Sequence, residues 1–182
     1  MAARFRIEEV SLSDEAQRRH IAEVLSEVHA GHPYFDETEP EELFEEVSEW
    51  QEFVEKLKGK VFAAFTPEGK MIGFAVGHLF DPTEHPVAVS RKLGKGPHYY
   101  LMLSAVLPLF RRGKVATELN LKRMEHAREL DCKNVVGETE ESNKPRITQF
   151  LAEDFKRFHI TSANYDEVLP GVRHYYYRRQ IG

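Results

Sequence analysis

Leu101-Met-Leu-Ser-Ala-Val-Leu-Pro108-Leu-Phe-Arg111-Arg112-Gly113-Lys114-Val115-Ala116-Thr117-Glu118-Leu119 is the stretch whose reading decides the fold. An apolar run from His98 to Leu107 reads as a strand, and Pro108 ends it because proline has no N–H to give a ladder. Arg111, Arg112 and Lys114 then surround a glycine, and from Ala116 to Leu130 the pattern turns helical, with Leu119, Met124 and Ala127 inward. The first N–H groups of a helix have no carbonyl partner and carry partial positive charge. A basic turn placed there can cradle a pyrophosphate; the bland alternative is a solvated turn. The second glycine of a Walker A loop is absent.

Outward from this unit, Phe5 to Val10 reads as a first strand. Ser13-Asp14 opens a helix with Ile21, Val24, Leu25 and Val28 inward. A second helix begins near Thr38, which has capping-box spacing to Glu41, and its stripe runs Leu43, Phe44, Val47, Trp50, Val54, Leu57. Lys60–Thr66 and Lys70–Phe80 flank Pro67-Glu-Gly69 as a hairpin. Asp81 to Pro97 reads as a long polar connection. Past the central helix come a strand at Asn134–Thr139, a short helix at Pro145–Asp154, and strands at Phe155–Ile160 and Val172–Ile181. The order β-α-α-β-β-β-α-β-α-β-β predicts an α/β sandwich around one mixed sheet, and the absence of any linker-like stretch predicts a single domain over residues 1–182.

The chain has 182 residues, a net charge of −5 and one cysteine. That length suits one domain. Cys132 alone forms neither an internal disulfide nor a thiolate cluster, and it reads as a small packed residue. No apolar run nears the roughly 20 residues that span a bilayer, and acidic residues interrupt the N-terminal stretch at once, unlike a leader peptide. These features predict a cytoplasmic protein that does not act on membranes, and the net charge argues against a nucleic-acid partner. The tail His174-Tyr-Tyr-Tyr-Arg-Arg can serve single-stranded nucleic acid, but reads better as a last strand with Tyr176 on one face and Tyr175 and Tyr177 on the other. His29, His32 and Asp36 lack a second cluster of ligands, so no metal is expected.

The segment from His98 to Ile160 resembles the acyl-CoA-binding core of the GNAT superfamily of acyl-CoA-dependent N-acetyltransferases. There a strand reading Val-x-Pro leads into Arg/Gln-x-x-Gly-x-Gly/Ala and a helix. Val106-Leu107-Pro108 and Arg111-Arg112-Gly113-Lys114-Val115-Ala116 match, with Thr117 continuing the helix and Lys114 standing where the family usually has glycine. The family's second motif, Asn-x-x-Ala-x-x-x-Tyr followed by Gly-Phe, is matched by Asn143 and Phe155. Arg146 replaces its small residue, Phe150 its tyrosine and Asp154 its glycine. The resemblance implies a sheet of about seven strands flanked by about four helices. It also implies acetyl-CoA as acyl donor, held by Val106, Leu107, Arg111 to Thr117, Asn143, Arg146 and Phe150.

Direct transfer needs a base for an ammonium of pKa about 10, a backbone donor for the oxyanion near Val106 or Leu107, and an acid for the leaving thiolate. Phe150 removes the customary acid, and Tyr100 is one substitute. His98 and Tyr100 share a strand face and either line the amine channel or merely pack at the strand's start. Glu138 and Glu140 share a face of the next strand; one of them receives the proton through water, or both are a solvated strand end. The family resemblance places the turn between the first two helices beside the acceptor. Here that turn carries Tyr34, Phe35, Asp36 and Glu37, and residues 36–55 contain ten acidic and no basic residues. Aromatic and anionic groups attract cations, so the expected acceptor is a cationic small-molecule or peptide amine, although acids within the helix also fit a solvated face. The expected assembly is a monomer or homodimer. Two functions compete: an active acetyltransferase, and an acyl-CoA-binding regulatory or interaction module with little catalysis.

Overall fold

A computed structural model of the chain describes residues 4–30, 39–162 and 173–182. Its elements are β1 (Arg6–Val10), α1 (Glu15–His29), α2 (Pro40–Lys56), β2 (Lys60–Phe65), β3 (Met71–Leu79), α3 (Val87–Leu93), β4 (His98–Val106), α4 (Val115–Glu129), β5 (Asn134–Glu140), α5 (Lys144–Ala152), β6 (Lys156–Ser162) and β7 (Arg173–Gln180). One 3-10 turn, Pro108–Phe110, follows β4. The strands form a mixed sheet of seven in the order β1-β2-β3-β4-β5-β7-β6. β4 and β5 run parallel, which the helical crossover α4 permits.

The elements follow the sequence pattern closely, with two differences. The Asp81–Pro97 connection contains α3: Pro86 precedes its first turn, Val89 and Leu93 one turn apart are buried, and Gly94 at φ 78° stops it. Seven residues are too few for a periodicity to stand out. α2 starts at Pro40, where proline's fixed φ suits a first helical turn; Thr38 lies outside the described residues. Asp14 caps α1 by accepting from the Ala16 N–H at 2.9 Å.

The chain divides into two compact units, and β4 and α4 each contribute to both. The first takes the chain up to His78 with Met102–His126. Here β1, β2 and β3 pair antiparallel, and β2 is apolar on both faces. Val61, Ala63 and Phe65 pack with Ile21, Val24, Leu43, Val47 and Trp50 of α1 and α2, while Phe62 and Ala64 pack with Val115 and Leu119 of α4. α4 also buries Arg123 completely. Its guanidinium donates to the carbonyls of Val76 at 3.0 Å and Leu103 at 3.1 Å, and to Asn120 Oδ1. Such charge-assisted bonds are what make a buried arginine tolerable.

The second unit takes Leu79–Leu101 and the chain from Ala127 onward. β5 pairs parallel with β4 and antiparallel with β7, and β6 pairs with β7. Tyr100 stands opposite Val136, Tyr177 opposite Gly137 and Tyr176 opposite Glu138. Strand alternation therefore puts His98, Tyr100, Val136, Glu138, His174 and Tyr176 on one face. There Val89 and Leu93 of α3 pack on Val136 and Tyr176. Gly137 and Tyr177 lie on the other face with Phe150 of α5, whose ring stacks on Tyr177 at 5.0 Å and meets Phe155 at 5.1 Å.

A Cβ at Gly137 would sit 2.3 Å from the Phe150 ring. That ring is fully buried between its neighbours and has nowhere to retreat. Gly137→Ala is therefore expected to cost about 1–3 kcal/mol through overpacking, read from urea unfolding. An unchanged midpoint and slope would show that the ring is not locked against β5.

Candidate active site

The basic turn is as exposed and cationic as its composition suggests. Arg111, Arg112 and Lys114 are all exposed. At this end of α4 the Glu118 N–H donates to the Lys114 carbonyl at 3.0 Å. The N–H groups of Val115, Ala116 and Thr117 precede it in the first turn, where helix N–H groups have no intrahelical partner. Arg112 and Lys114 both take left-handed backbone, at φ 66° and 67°. At Gly113 a Cβ would lie 3.1 Å from the Phe110 carbonyl, tight enough to favour glycine. Arg111 Nε donates back to the Val106 carbonyl at 3.3 Å, and Leu107 N–H donates to the Ile72 carbonyl at 3.0 Å.

At the start of α5, Asn143 Oδ1 accepts from the Arg146 N–H at 3.1 Å and caps the helix. The Arg146 side chain lies over the Phe150 ring at 4.3 Å and donates to Gln149 Oε1 at 2.8 Å. Burial pulls its guanidinium down to about 10, against the opposing influence of Glu153 and Tyr100. Phe150 itself is in the core, under Arg146, and on the face of β5 opposite to Glu138. Asp154, at φ 62°, follows the helix, and the Phe155 N–H closes back onto the Phe150 carbonyl at 2.9 Å. This is a left-handed helix C-terminus, usually glycine's place.

On the other face of β5, Tyr100 and Glu138 meet. The Tyr100 hydroxyl donates to Glu138 Oε2 at 3.2 Å. Glu138 Oε1 lies 2.9 Å from His174 Nδ1, and both side chains are less than a fifth exposed, 18% and 16%. Tyr176 also hydrogen-bonds to this carboxylate. Burial is the largest influence on Glu138 and acts to raise it; the bonds from His174 and Tyr176, with the charges of His174 and His85, outweigh burial and hold it below the usual carboxylate range. His85 packs its ring against Phe80 at 4.4 Å and Tyr100 at 4.5 Å.

The other residues singled out from sequence have different surroundings. His98 shares Tyr100's strand face, but its Nε2 bonds to the Gly94 carbonyl at 3.2 Å and its Nδ1 to Asn134 Nδ2 at 3.1 Å. Burial lowers its pKa, the Gly94 bond opposing. That pattern fits a neutral imidazole with both nitrogens engaged. Glu140 accepts from Ser142 Oγ at 3.0 Å. Tyr34, Phe35, Asp36 and Glu37, with His32, lie outside the described residues. Among the described residues there is no group of three potential metal ligands and no helix long and apolar enough to cross a membrane. Cys132 is buried, and burial pushes its thiol up to about 11, far from a reactive thiolate. His174, Tyr176 and His85 were not singled out as site residues. The alternation of His174 and Tyr176 on the last strand was the available signal, but only the β5–β7 register connects it to Glu138.

A profile of the acetyltransferase (GNAT) family matches residues 21–150. The chain belongs to the GNAT family of acetyltransferases. Solved GNAT-like structures match across nearly the whole chain. An N-acetyltransferase from Staphylococcus aureus aligns at 15% identity and TM-score 0.71, covering 98% of this chain and 99% of that one. NAA60 of Arabidopsis thaliana, solved with a bisubstrate analogue, aligns at 17% and 0.70, covering 98% and 99%. A chain of the NatC complex bound to Gag peptide and CoA aligns at 14% and 0.68, again covering 98% and 99%. At such identities the likeness shows the fold alone. No curated protein sequence matches.

Two residues of this GNAT chain take backbone conformations that glycine adopts most easily. Lys114 and Asp154 both replace glycine in the motifs quoted above, and both adopt positive φ. A side chain in left-handed conformation costs roughly 1–2 kcal/mol, partly offset because glycine loses more entropy on folding. Lys114→Gly and Asp154→Gly are each expected to stabilise the ligand-free protein by about 0.5–1 kcal/mol, measured by chemical unfolding. A loss of stability in either variant would show that its side chain holds the turn.

Proposed function

We propose that this acetyltransferase moves an acetyl group from acetyl-CoA to a primary amine by direct attack, with Glu138 taking the amine's proton. The observation that carries this reading is the Tyr100–Glu138 hydrogen bond at 3.2 Å, a hydroxyl held on a mostly buried, ionised carboxylate. The amine forms the C–N bond as the C–S bond breaks; the proton passes to Glu138, and the sulfur leaves as thiolate. We assign its protonation to Tyr100, whose hydroxyl lies on Glu138, in place of the family's tyrosine. His98, on the same face, is held to Asn134 of β5 and to the Gly94 carbonyl.

In this reading Arg111, Arg112, Gly113 and Lys114, with the N–H groups of Val115, Ala116 and Thr117, hold the pyrophosphate of acetyl-CoA. Their exposure and unpaired helix N–H groups suit a dianion. Of the two oxyanion donors, Leu107 N–H is already given to Ile72. Successive N–H groups on extended chain point to opposite sides, so Val106 is the donor we assign. The family resemblance also assigns Asn143, Arg146 and Phe150 to the donor; Phe150 lies under the Arg146 side chain and carries no chemistry of its own. The competing reading, an acyl-CoA-binding module with little catalysis, draws on Phe150 and Lys114; the Tyr100–Glu138 pair favours catalysis.

For the acceptor, we favour a cationic amine, small molecule or peptide end, met by Tyr34, Phe35, Asp36 and Glu37. The exposed carboxylates of Glu42, Glu45, Glu49 and Glu52 continue that negative character along α2.

The test is CoA release across a panel of cationic, neutral and anionic amines. We expect turnover, greatest with cationic acceptors. Arg111→Ala should weaken CoA binding about tenfold while changing a pantetheine fragment less than about twofold. Tight CoA binding without turnover on any amine would favour the binding module, and equal losses for CoA and pantetheine would remove the turn from pyrophosphate recognition.

A further inference from the structure

The Glu138 carboxylate has a second partner that the transfer reaction, as described, leaves without a task. His174 lies on β7, diagonally across from Glu138, and its Nδ1 is 2.9 Å from Oε1. Tyr100 is bonded to the other oxygen, Oε2. The two contacts pin the plane of the carboxylate between β4 and β7. A donor on each oxygen also separates their tasks: one is anchored, the other faces the hydroxyl proposed for catalysis.

We propose that His174 is a positioning residue for acetyl transfer, its Nδ1–H anchoring Oε1 of Glu138 so that the carboxylate stays charged with Oε2 aimed at Tyr100. This rests on the role given to Glu138 above. The physical reason is desolvation. A mostly buried carboxylate tends to neutralise, and hydrogen bonds to its charged form oppose that. Among the groups acting on Glu138, the His174 bond is the largest that favours the charge. Without it, Glu138 has neutral hydroxyl donors and the charge of His85. Burial then gains, and the carboxyl holds a proton to higher pH. A protonated Glu138 accepts nothing from an ammonium.

Other titratable groups face the pair and stay in place when His174 is changed. Tyr100 comes from β4 and Tyr176 from β7 itself, with His85 against both rings. Glu140 of β5 is the register partner of His174, and Thr161, uncharged, is its partner on β6. His159 lies against Tyr176 at 6.0 Å, and Arg146 acts on Tyr100.

The experiment compares wild type with His174→Leu, which removes the donor, and His174→Asn, whose amide nitrogen stands near the place of Nδ1. Carboxyl carbon NMR of Glu138 reports its titration directly, assigned with Glu138→Gln. The pH profile of kcat/KM reports the consequence. In His174→Leu the Glu138 midpoint is expected to rise by about one unit or more, a tenfold change in the charged fraction at low pH. The acid limb of kcat/KM should move up with it, with rates at pH about 9 within roughly twofold of wild type. His174→Asn should fall between. Melting curves identify a variant that fails to fold, and His174→Asn, the milder change, then carries the test. A Glu138 midpoint that stays within about 0.3 units of wild type in a folded variant overturns the proposal. So does a uniform loss of rate at all pH values, which marks a merely structural histidine. Absence of turnover in wild type would instead count against the acetyl-transfer reading of Glu138, and the NMR midpoint would still decide whether His174 anchors it.

Discussion

Taking a carboxylate out of water costs several kcal/mol unless hydrogen-bond donors replace the lost solvent. Much of the second unit is arranged around that demand at Glu138. Three strands each send a group to the carboxylate face: Tyr100 from β4, Glu138 from β5, and His174 with Tyr176 from β7. The register of β5 with β7 makes this possible, because a shift of one residue would turn His174 and Tyr176 to the face occupied by Phe150. The same register leaves Gly137 as the one place on β5 where the Phe150 ring can approach the backbone. One pairing thus sets a charged face and an aromatic face on opposite sides of a single strand.

The first unit answers a different constraint. Its basic turn is proposed to bring helix N–H groups and cations together, and Arg112 and Lys114 take left-handed backbone there without glycine at either position. Asp154 makes the same substitution at the end of α5. In both places a residue with a side chain takes left-handed backbone. Lys114 gains a cation beside a helix N-terminus in exchange for strain, while Asp154 has no such evident return.

Much of this was legible before the structure. The strand–turn–helix around Arg111 announced itself through Pro108, the basic cluster and helical periodicity, all local signals. The faces of α1, α2 and β7 followed from spacing alone. α3 was not legible, because seven residues give one buried pair, Val89 and Leu93, and no repeating stripe. Arg123 and Asn120 were hidden for another reason: they are polar residues on a buried stripe, satisfied by carbonyls that only the sheet supplies. Tyr100 and Glu138 could be named as candidates, but not joined, and His98 could not be separated from them. Strand parity places residues on a face, whereas hydrogen-bond partners depend on register between strands distant in sequence. That is also why His174 went unnoticed in an aromatic, basic tail.

On the proposed mechanism the ionised carboxylate of Glu138 takes part in acetyl transfer. The most direct measurement is kcat for amine acetylation by Glu138→Gln, with the acetyl-CoA Kd determined on the same preparation. A fall in kcat of about 100-fold or more is expected with Kd unchanged within about twofold, since glutamine keeps the shape but cannot take a proton. A kcat within about threefold of wild type would contradict it and move the chemistry away from the Tyr100–Glu138–His174 face.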